Sequence, residues 1–427
     1  MQIIYNNLLE LEKSGKSIRT GIVGFGKMGK TLAFQLLKLK GFIPSVIVTR
    51  NPQKAKESLI EFGLNSENIV LDSEFDVIEE AVKNKQTIIT DDYKTACKLP
   101  IDAIVDATGD TAYGANIAIE SIKNKKHIIM LNVECDATIG ASLNDLAREN
   151  GVVYTGTSGD EPGSIMELFE FVQNVGLEIV VVGKGKNNLL DNYITNDDLV
   201  ESAKVKNVST KALTSFCDGT NTMIELTVVG NAINFKPDVL GGHGVTTTVK
   251  ELGDSFKTMS EGGILNGYGI VDFAFGVAPG VFVIAKANND TDKELLKYLN
   301  MGDGPNYVFH RPYHLTSMET PITIYKAVVE NDSTIEPIYG QVCDTVTLAK
   351  RDIDAGEYLE GIGSDMTFGK ITSHEETIKN DYLPIGIITK NAKMKYNIKK
   401  GQFITRSMVE LDYEETIVKI RSQQDKK

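Results

Sequence analysis

The chain has 427 residues, enough for about three domains of ordinary size. Hydrophobic residues make up 41% and charged residues 24%, which excludes wholesale disorder and a collagen-like chain. Lys and Arg number 45 against 58 Asp and Glu, a net charge of −13 that repels a phosphodiester backbone, so nucleic acid is not an expected partner.

The opening MQIIYNNLLELEKSGK places Ile3, Ile4, Leu8, Leu9 and Leu11 at helical spacing, which predicts a leading amphipathic helix. It lacks a basic leader followed by an apolar stretch. Apolar runs such as Ile179 to Val182 and Val281 to Ala285 are too short to span a bilayer. The expectation is a cytoplasmic protein with no membrane partner. Cys97, Cys135, Cys217 and Cys343 are scattered without a CxxC pair, so reduced and mostly buried thiols are expected.

From Arg19 strand-like and helix-like segments alternate: SIRTGIVGFG, a helix over 27–40, SVIVTR, a helix over 53–62, DAIVDATG, a helix over 113–123, HIIMLN, a helix over 142–150, and GVVYTG. This pattern predicts an α/β domain over 1–157, a Rossmann-type doubly wound parallel sheet. A Gly-rich mixed region over 158–340 reads as an α+β catalytic and dimerisation domain. The remainder, 341–427, reads as a small β-rich domain with internal pseudo-symmetry, because LAKRDIDAGEYL and YNIKKGQFIT look like two copies of one strand-and-turn pattern. The ending RSQQDKK is expected to be frayed.

Gly24, Gly26 and Gly29, with Lys27 and Met28 between them, form G-F-G-K-M-G between a predicted strand and helix, the setting in which a dinucleotide pyrophosphate meets a helix N-terminus. The next strand ends in Thr49-Arg50-Asn51, without the acid that an NAD ribose prefers. Arg50 suits a 2′-phosphate, so NADP is the expected cofactor; the competing reading of Arg50 is a solvated surface side chain. Thr108 and Gly109, with Asn132 and Glu134, end later strands and are expected to face the nicotinamide.

In the second region Lys184 and Lys186 follow the apolar strand LEIVVVG, within Gly183-Lys184-Gly185-Lys186-Asn187-Asn188. They can bind an anion or polarise a carbonyl, and a partly buried Lys186 can supply the proton in hydride transfer. A solvated basic loop is the alternative. Asp160, Glu161 and Asp218 are candidate proton-transfer or divalent-ion residues, His310 and Arg311 candidate substrate residues, and His243 and His314 sit in similar segments; turn-capping histidines and solvated acids are the competing readings.

GDEPG, GKGKNN, SFCDGTNTMIE, FGVAPGVFVI, LNMGDGPNYVFHRPYHLTSMETP and AKRDIDAGEYLEGIG together resemble the homoserine-dehydrogenase-like oxidoreductases with a C-terminal SAF domain, over nearly the whole chain. That group includes the 1-deoxy-D-xylulose 5-phosphate reductoisomerase-like proteins of isoprenoid biosynthesis, which form 2-C-methyl-D-erythritol 4-phosphate with NADPH. The resemblance implies an NADP-linked oxidoreductase acting on a small hydroxylated or phosphorylated substrate. In the favoured mechanism, hydride transfer, Lys184, Lys186 and Arg311 are expected to bind negative charge, and Asp160, Glu161 or Asp218 to handle protons or a Mg or Mn ion. Also expected are a site in the crevice between the first two domains, and a homo-oligomer, dimer or tetramer. The sequence departs from true homoserine dehydrogenases at Asn132-Val133-Glu134, where those carry a lysine after the Asn. Three readings compete: a reductoisomerase, a metal-free dehydrogenase of homoserine, a polyol or a sugar acid, and a non-catalytic NADP- or carbohydrate-binding protein.

Overall fold

A computed structural model describes residues 2–71 and 74–426; the side chain of Ile3 and the terminal Lys427, both singled out above, lie outside the described part. Instead of three consecutive domains, the chain forms two compact units. One comprises Met1–Asp136, Ser142–Asp160 and Leu315–Glu336, the other Ala137–Ala141, Glu161–His314 and Pro337–Lys427.

The first unit is built on a seven-stranded sheet: β1 (Ile18–Val23), β2 (Phe42–Val48), β3 (Ile69–Leu71), β4 (Thr87–Thr90), β5 (Ala103–Asp106), β6 (His127–Met130) and β7 (Tyr154–Gly156). Its order is β3-β4-β2-β1-β5-β6-β7 and every pairing is parallel. Runs such as AIVD and SVIV are buried on both faces, as a helix-covered parallel sheet requires. This is the expected doubly wound Rossmann-type architecture. Strand order reverses between β1 and β5, and a crevice opens at such a reversal, at the carboxyl ends of the strands.

The leading helix forms over Gln2–Lys13, burying Leu8 and packing Ile4 and Leu11 on the core. The helix foreseen over 142–150 begins much earlier, at Val133, because the Asn132 side chain accepts from the Cys135 backbone N–H (3.1 Å) and starts it directly after β6. The segment Leu315–Glu336 falls within the region 158–340 that the sequence pattern groups as the second domain. It belongs to the first unit: its helix Thr316–Tyr325 lies on helix Lys27–Lys38, with Ile324 and Tyr325 buried in the same cluster as Leu32 and Leu36.

The second unit holds a mixed sheet of β8 (Glu178–Lys186), β9 (Val245–Thr246), β10 (Ile270–Phe275), β11 (Val281–Lys286) and β12 (Asn306–Arg311), in the order β12-β11-β8-β10-β9. Central β8 runs parallel to β10 and antiparallel to β11. Helix Glu161–Asn174 packs on β8 and β11, and helix Thr220–Ile233 packs on helix Glu161–Asn174.

The C-terminal region is not a detached domain. Its hairpin of β13 (Cys343–Ala349) and β14 (Thr367–Ser373) packs on helix Thr220–Ile233, where Thr220 Oγ1 accepts from the Gly369 N–H (2.9 Å) and Asn231 Oδ1 accepts from the Val342 and Cys343 N–H groups (2.8 Å each). The internal repeat is present. Ile353 and Ile398 exchange backbone hydrogen bonds (3.0 and 2.9 Å), and each is followed by the same turn, closed by Glu357 on the Asp354 N–H (2.7 Å) and by Gln402 on the Lys399 N–H (3.0 Å). The ending is not frayed: helix Thr416–Gln424 buries Arg421, which pairs with Asp344 (2.7 Å) and Asp425 (2.8 Å).

Candidate functional site

In the first unit β1 is followed directly by Gly24, whose φ of +96° favours glycine and where a Cβ would meet the Ala107 carbonyl oxygen at 2.7 Å. A Cβ on Gly29 would come within 1.9 Å of the Gly24 carbonyl oxygen, so helix and strand approach as closely as they do only through glycine. Gly26 caps the helix Lys27–Lys38, and a Cβ there would meet no atom within 4 Å. Backbone N–H groups at a helix start with an open glycine before them fit a dinucleotide pyrophosphate. Met28 is exposed, and its carbonyl accepts from Ser317 Oγ (3.1 Å).

Arg50 is exposed, two residues beyond β2, and the adjacent Asn51 caps the next helix. Asn132 is a buried tie: its Nδ2 donates to Asp106 (2.9 Å), Thr108 Oγ1 (3.2 Å) and the Asp110 carbonyl (2.9 Å). Thr108 Oγ1 donates in turn to Asp106 (2.6 Å). Burial pushes Asp106 up to about 6 against these donors. Asn132 and Thr108 therefore fix the loop after β5, whose Gly109 lies in the left-handed region, and Glu134 falls in the first turn of the helix that Asn132 caps. Asp106 was not foreseen as part of this network.

In the second unit Lys184 and Lys186 stand two residues apart on one face of β8, because side chains alternate along a strand. The intervening glycines are steric requirements of the other face: a Cβ on Gly183 would meet the Phe282 ring at 2.5 Å, and one on Gly185 would meet Ala278 at 2.6 Å. The lysines are buried, not a solvated loop. Lys184 Nζ donates to Glu161 (2.6 Å) and to Glu225, whose other oxygen accepts from Asn221 (2.7 Å). His314 Nε2 lies 3.5 Å from the same Glu161 oxygen.

Burial opposes charge on Lys184, but the two carboxylates outweigh it and hold the ammonium above the ordinary lysine range. Glu161, against the same burial, is held low by Lys184 and His314, whereas burial and the Glu161 charge push Glu225 up. Lys186 has no such clamp. Its Nζ donates to the Phe216 carbonyl (2.6 Å), and burial together with the Lys184 charge brings it down to about 8. An amine that titrates there can give and take protons near neutrality. Glu225 and Asn221 were not foreseen as site residues, although a lone acid in helix Thr220–Ile233, where every residue except Asn221 is buried, is a readable signal.

Other candidates have different surroundings. Asp218 pairs with Lys350 (2.8 Å) with both side chains buried, and Lys350 also donates to the Ile194 (3.0 Å) and Ser364 (2.7 Å) carbonyls, so this is an ion pair that ties the C-terminal region to the unit. Arg311 donates to Glu167 (2.8 Å) and Ser164 (3.1 Å) and stacks on Tyr313, so its charge is already matched. His310 lies on β12, and its buried Nε2 has no hydrogen-bond partner among the described residues. His243 pairs with Asp238 (2.7 Å) in a turn. Asp160 ends a segment of the first unit, and Glu161, the next residue in the chain, begins a segment of the second. Among the described residues no group of three His, Cys, Asp or Glu is placed to hold a metal, and Glu161 and Glu225 are bridged by the Lys184 ammonium. These residues do not fit a Mg or Mn ion.

Residues 159–320 match the family described as oxidoreductase DRL, catalytic domain. The matched span contains Glu161, Lys184, Lys186, Asn221 and Glu225. No curated protein matches the chain. Among solved structures, the chain is similar to apo scyllo-inositol dehydrogenase from Lactobacillus casei (10% identity, 74% of this chain and 90% of that one, TM-score 0.43). It is also similar to 1-deoxy-D-xylulose 5-phosphate reductoisomerase from Zymomonas mobilis in complex with NADPH (15% identity, 49% of this chain and 57% of that one, TM-score 0.34). Among the described residues no helix is long and apolar enough to cross a membrane.

Proposed function

We propose that the protein is an NADP-dependent oxidoreductase that interconverts a carbonyl and an alcohol on a small hydroxylated substrate, with Lys186 as the proton-transfer group. The observation that carries this reading is the buried Lys186 ammonium, brought down to about 8 beside a clamped second lysine. The glycine loop at the reversal of the parallel sheet supports the nucleotide, and the catalytic-domain match over the lysine strand supports the reaction class.

When bound, the nicotinamide supplies or accepts the hydride. Lys186 gives its proton to the oxygen that becomes the alcohol and takes it back in the oxidative direction. Gly24, Gly26 and Gly29 would hold the pyrophosphate at the start of helix Lys27–Lys38, and Arg50 would bind a 2′-phosphate. A reductoisomerase step calls for a divalent ion on vicinal oxygens, and the Glu161 and Glu225 pair is already bridged by Lys184; the reading is therefore reduction or oxidation without rearrangement.

The test is NADPH oxidation and NADP reduction over polyols, hydroxyketones, sugar phosphates and homoserine, with Mg²⁺ or with a chelator. The expected result is chelator-insensitive turnover that Lys186→Met lowers by ~10²–10⁴ at unchanged NADPH affinity. Unchanged turnover in that variant would remove Lys186 from the chemistry. Arg50→Glu is expected to weaken NADPH about tenfold, ~1.4 kcal/mol, while leaving NADH binding alone. Equal NADPH affinity in a fluorescence titration would contradict the NADP assignment.

A further inference from the structure

Two lysines share one face of β8, and the carboxylates around them are distributed unequally. Lys184 is held between Glu161 on helix Glu161–Asn174 and Glu225 on helix Thr220–Ile233, with Asn221 fixing Glu225 from one turn away. Lys186 is bonded to a neutral carbonyl, that of Phe216. The Lys184 charge stays in place because both of its carboxylate partners are buried with it. We propose that Lys184 is a positioning residue: a permanently charged lever, clamped by Glu161 and Glu225, that sets the protonation state of Lys186 instead of binding substrate. This rests on the assignment of Lys186 as the proton-transfer group.

The charged and titratable groups that act most on Lys186 come from three elements. Lys184 comes from its own strand, Glu225 from helix Thr220–Ile233, and Cys217 and Asp218 from the end of helix Thr210–Cys217. Asp218 is already paired with Lys350. Apart from burial, Lys184 is the one of these that favours the neutral amine; Glu225, Cys217 and Asp218 act in the opposite sense. The lever therefore has a sign. Removing the Lys184 charge must make Lys186 hold its proton to higher pH, and removing the Glu225 charge must make it release the proton at lower pH.

The experiment reads the titration of Lys186 itself in the full-length protein, by competitive acetylation with acetic anhydride over neutral to alkaline pH, with each lysine resolved by peptide mass spectrometry. In Lys184→Met the midpoint of Lys186 is expected to rise by about one pH unit or more, and in Glu225→Gln to fall, while Lys184→Arg keeps the original value. Circular dichroism and cooperative melting establish that each variant is folded. If Lys184→Met does not fold because it leaves two buried acids unmatched, Glu225→Gln and Lys184→Arg decide between them. Unchanged midpoints in the folded variants overturn the lever. Turnover, measured in parallel, separates this inference from the one beneath it. Shifted midpoints with an unshifted pH profile of kcat uphold the lever and remove Lys186 from catalysis. Fixed midpoints with turnover that still depends on Lys186 do the reverse.

Discussion

Two buried lysines in the same unit, Lys186 and Lys350, show how partners decide what a charge is for. Lys350 lies 2.8 Å from a carboxylate, Asp218, and donates to two carbonyls, so its charge has a counterion. Lys186 meets the Phe216 carbonyl and, two residues away, another ammonium. The first arrangement holds segments of the chain together. The second costs stability as long as the proton stays on, and that cost is what allows the proton to leave near neutral pH.

The largest effect expected from this contrast is on folding. Lys350→Met should cost ~3–5 kcal/mol in denaturant unfolding, because it strands the Asp218 carboxylate in the interior. A loss below about 1 kcal/mol would mean that the pair is not structural. Adding Asp218→Asn to that variant should recover most of the loss, since a neutral pair of similar shape removes the unmatched charge. Lys186→Met should change stability by about 1 kcal/mol or less, because it removes a buried ammonium that has no carboxylate of its own. If Lys186→Met unfolds the protein as readily as Lys350→Met does, the distinction between the two lysines fails.

The parts that were legible in the sequence are those whose cause lies within a short stretch. The glycine loop and the strands AIVD and HIIM follow from local pattern, and Lys186 could be singled out as a lysine beside glycines at a strand end, although a solvated basic loop fitted the same residues. The repeat of the C-terminal region was also visible, since both copies close their turns with a side chain three residues on, Glu357 and Gln402. Strands β3 and β4, of three and four residues, are absent from the sequence reading.

What was misread depends on partners distant in the chain. The partners of Asp218 and Arg311 were likewise invisible: Lys350 lies against the first, and Glu167 and Ser164 accept from the second. The polar ending RSQQDKK looks frayed because nothing local shows that Asp344 will bury Arg421. The segment Leu315–Glu336 follows the second-unit sheet in sequence but carries Ile324 and Tyr325, which belong to the core of the first. Chain order misplaced it because packing, not adjacency, decides to which core such residues contribute.

The most direct test of the central claim is the pH dependence of kcat in both directions of the reaction. Lys186 must be protonated to assist reduction and neutral to assist oxidation. Turnover should therefore fall in the reductive direction as pH rises through about 8, and rise in the oxidative direction through the same range, with both limbs lost in Lys186→Met. Flat profiles there, or limbs that persist in the variant, would contradict the assignment of Lys186 as the proton-transfer group.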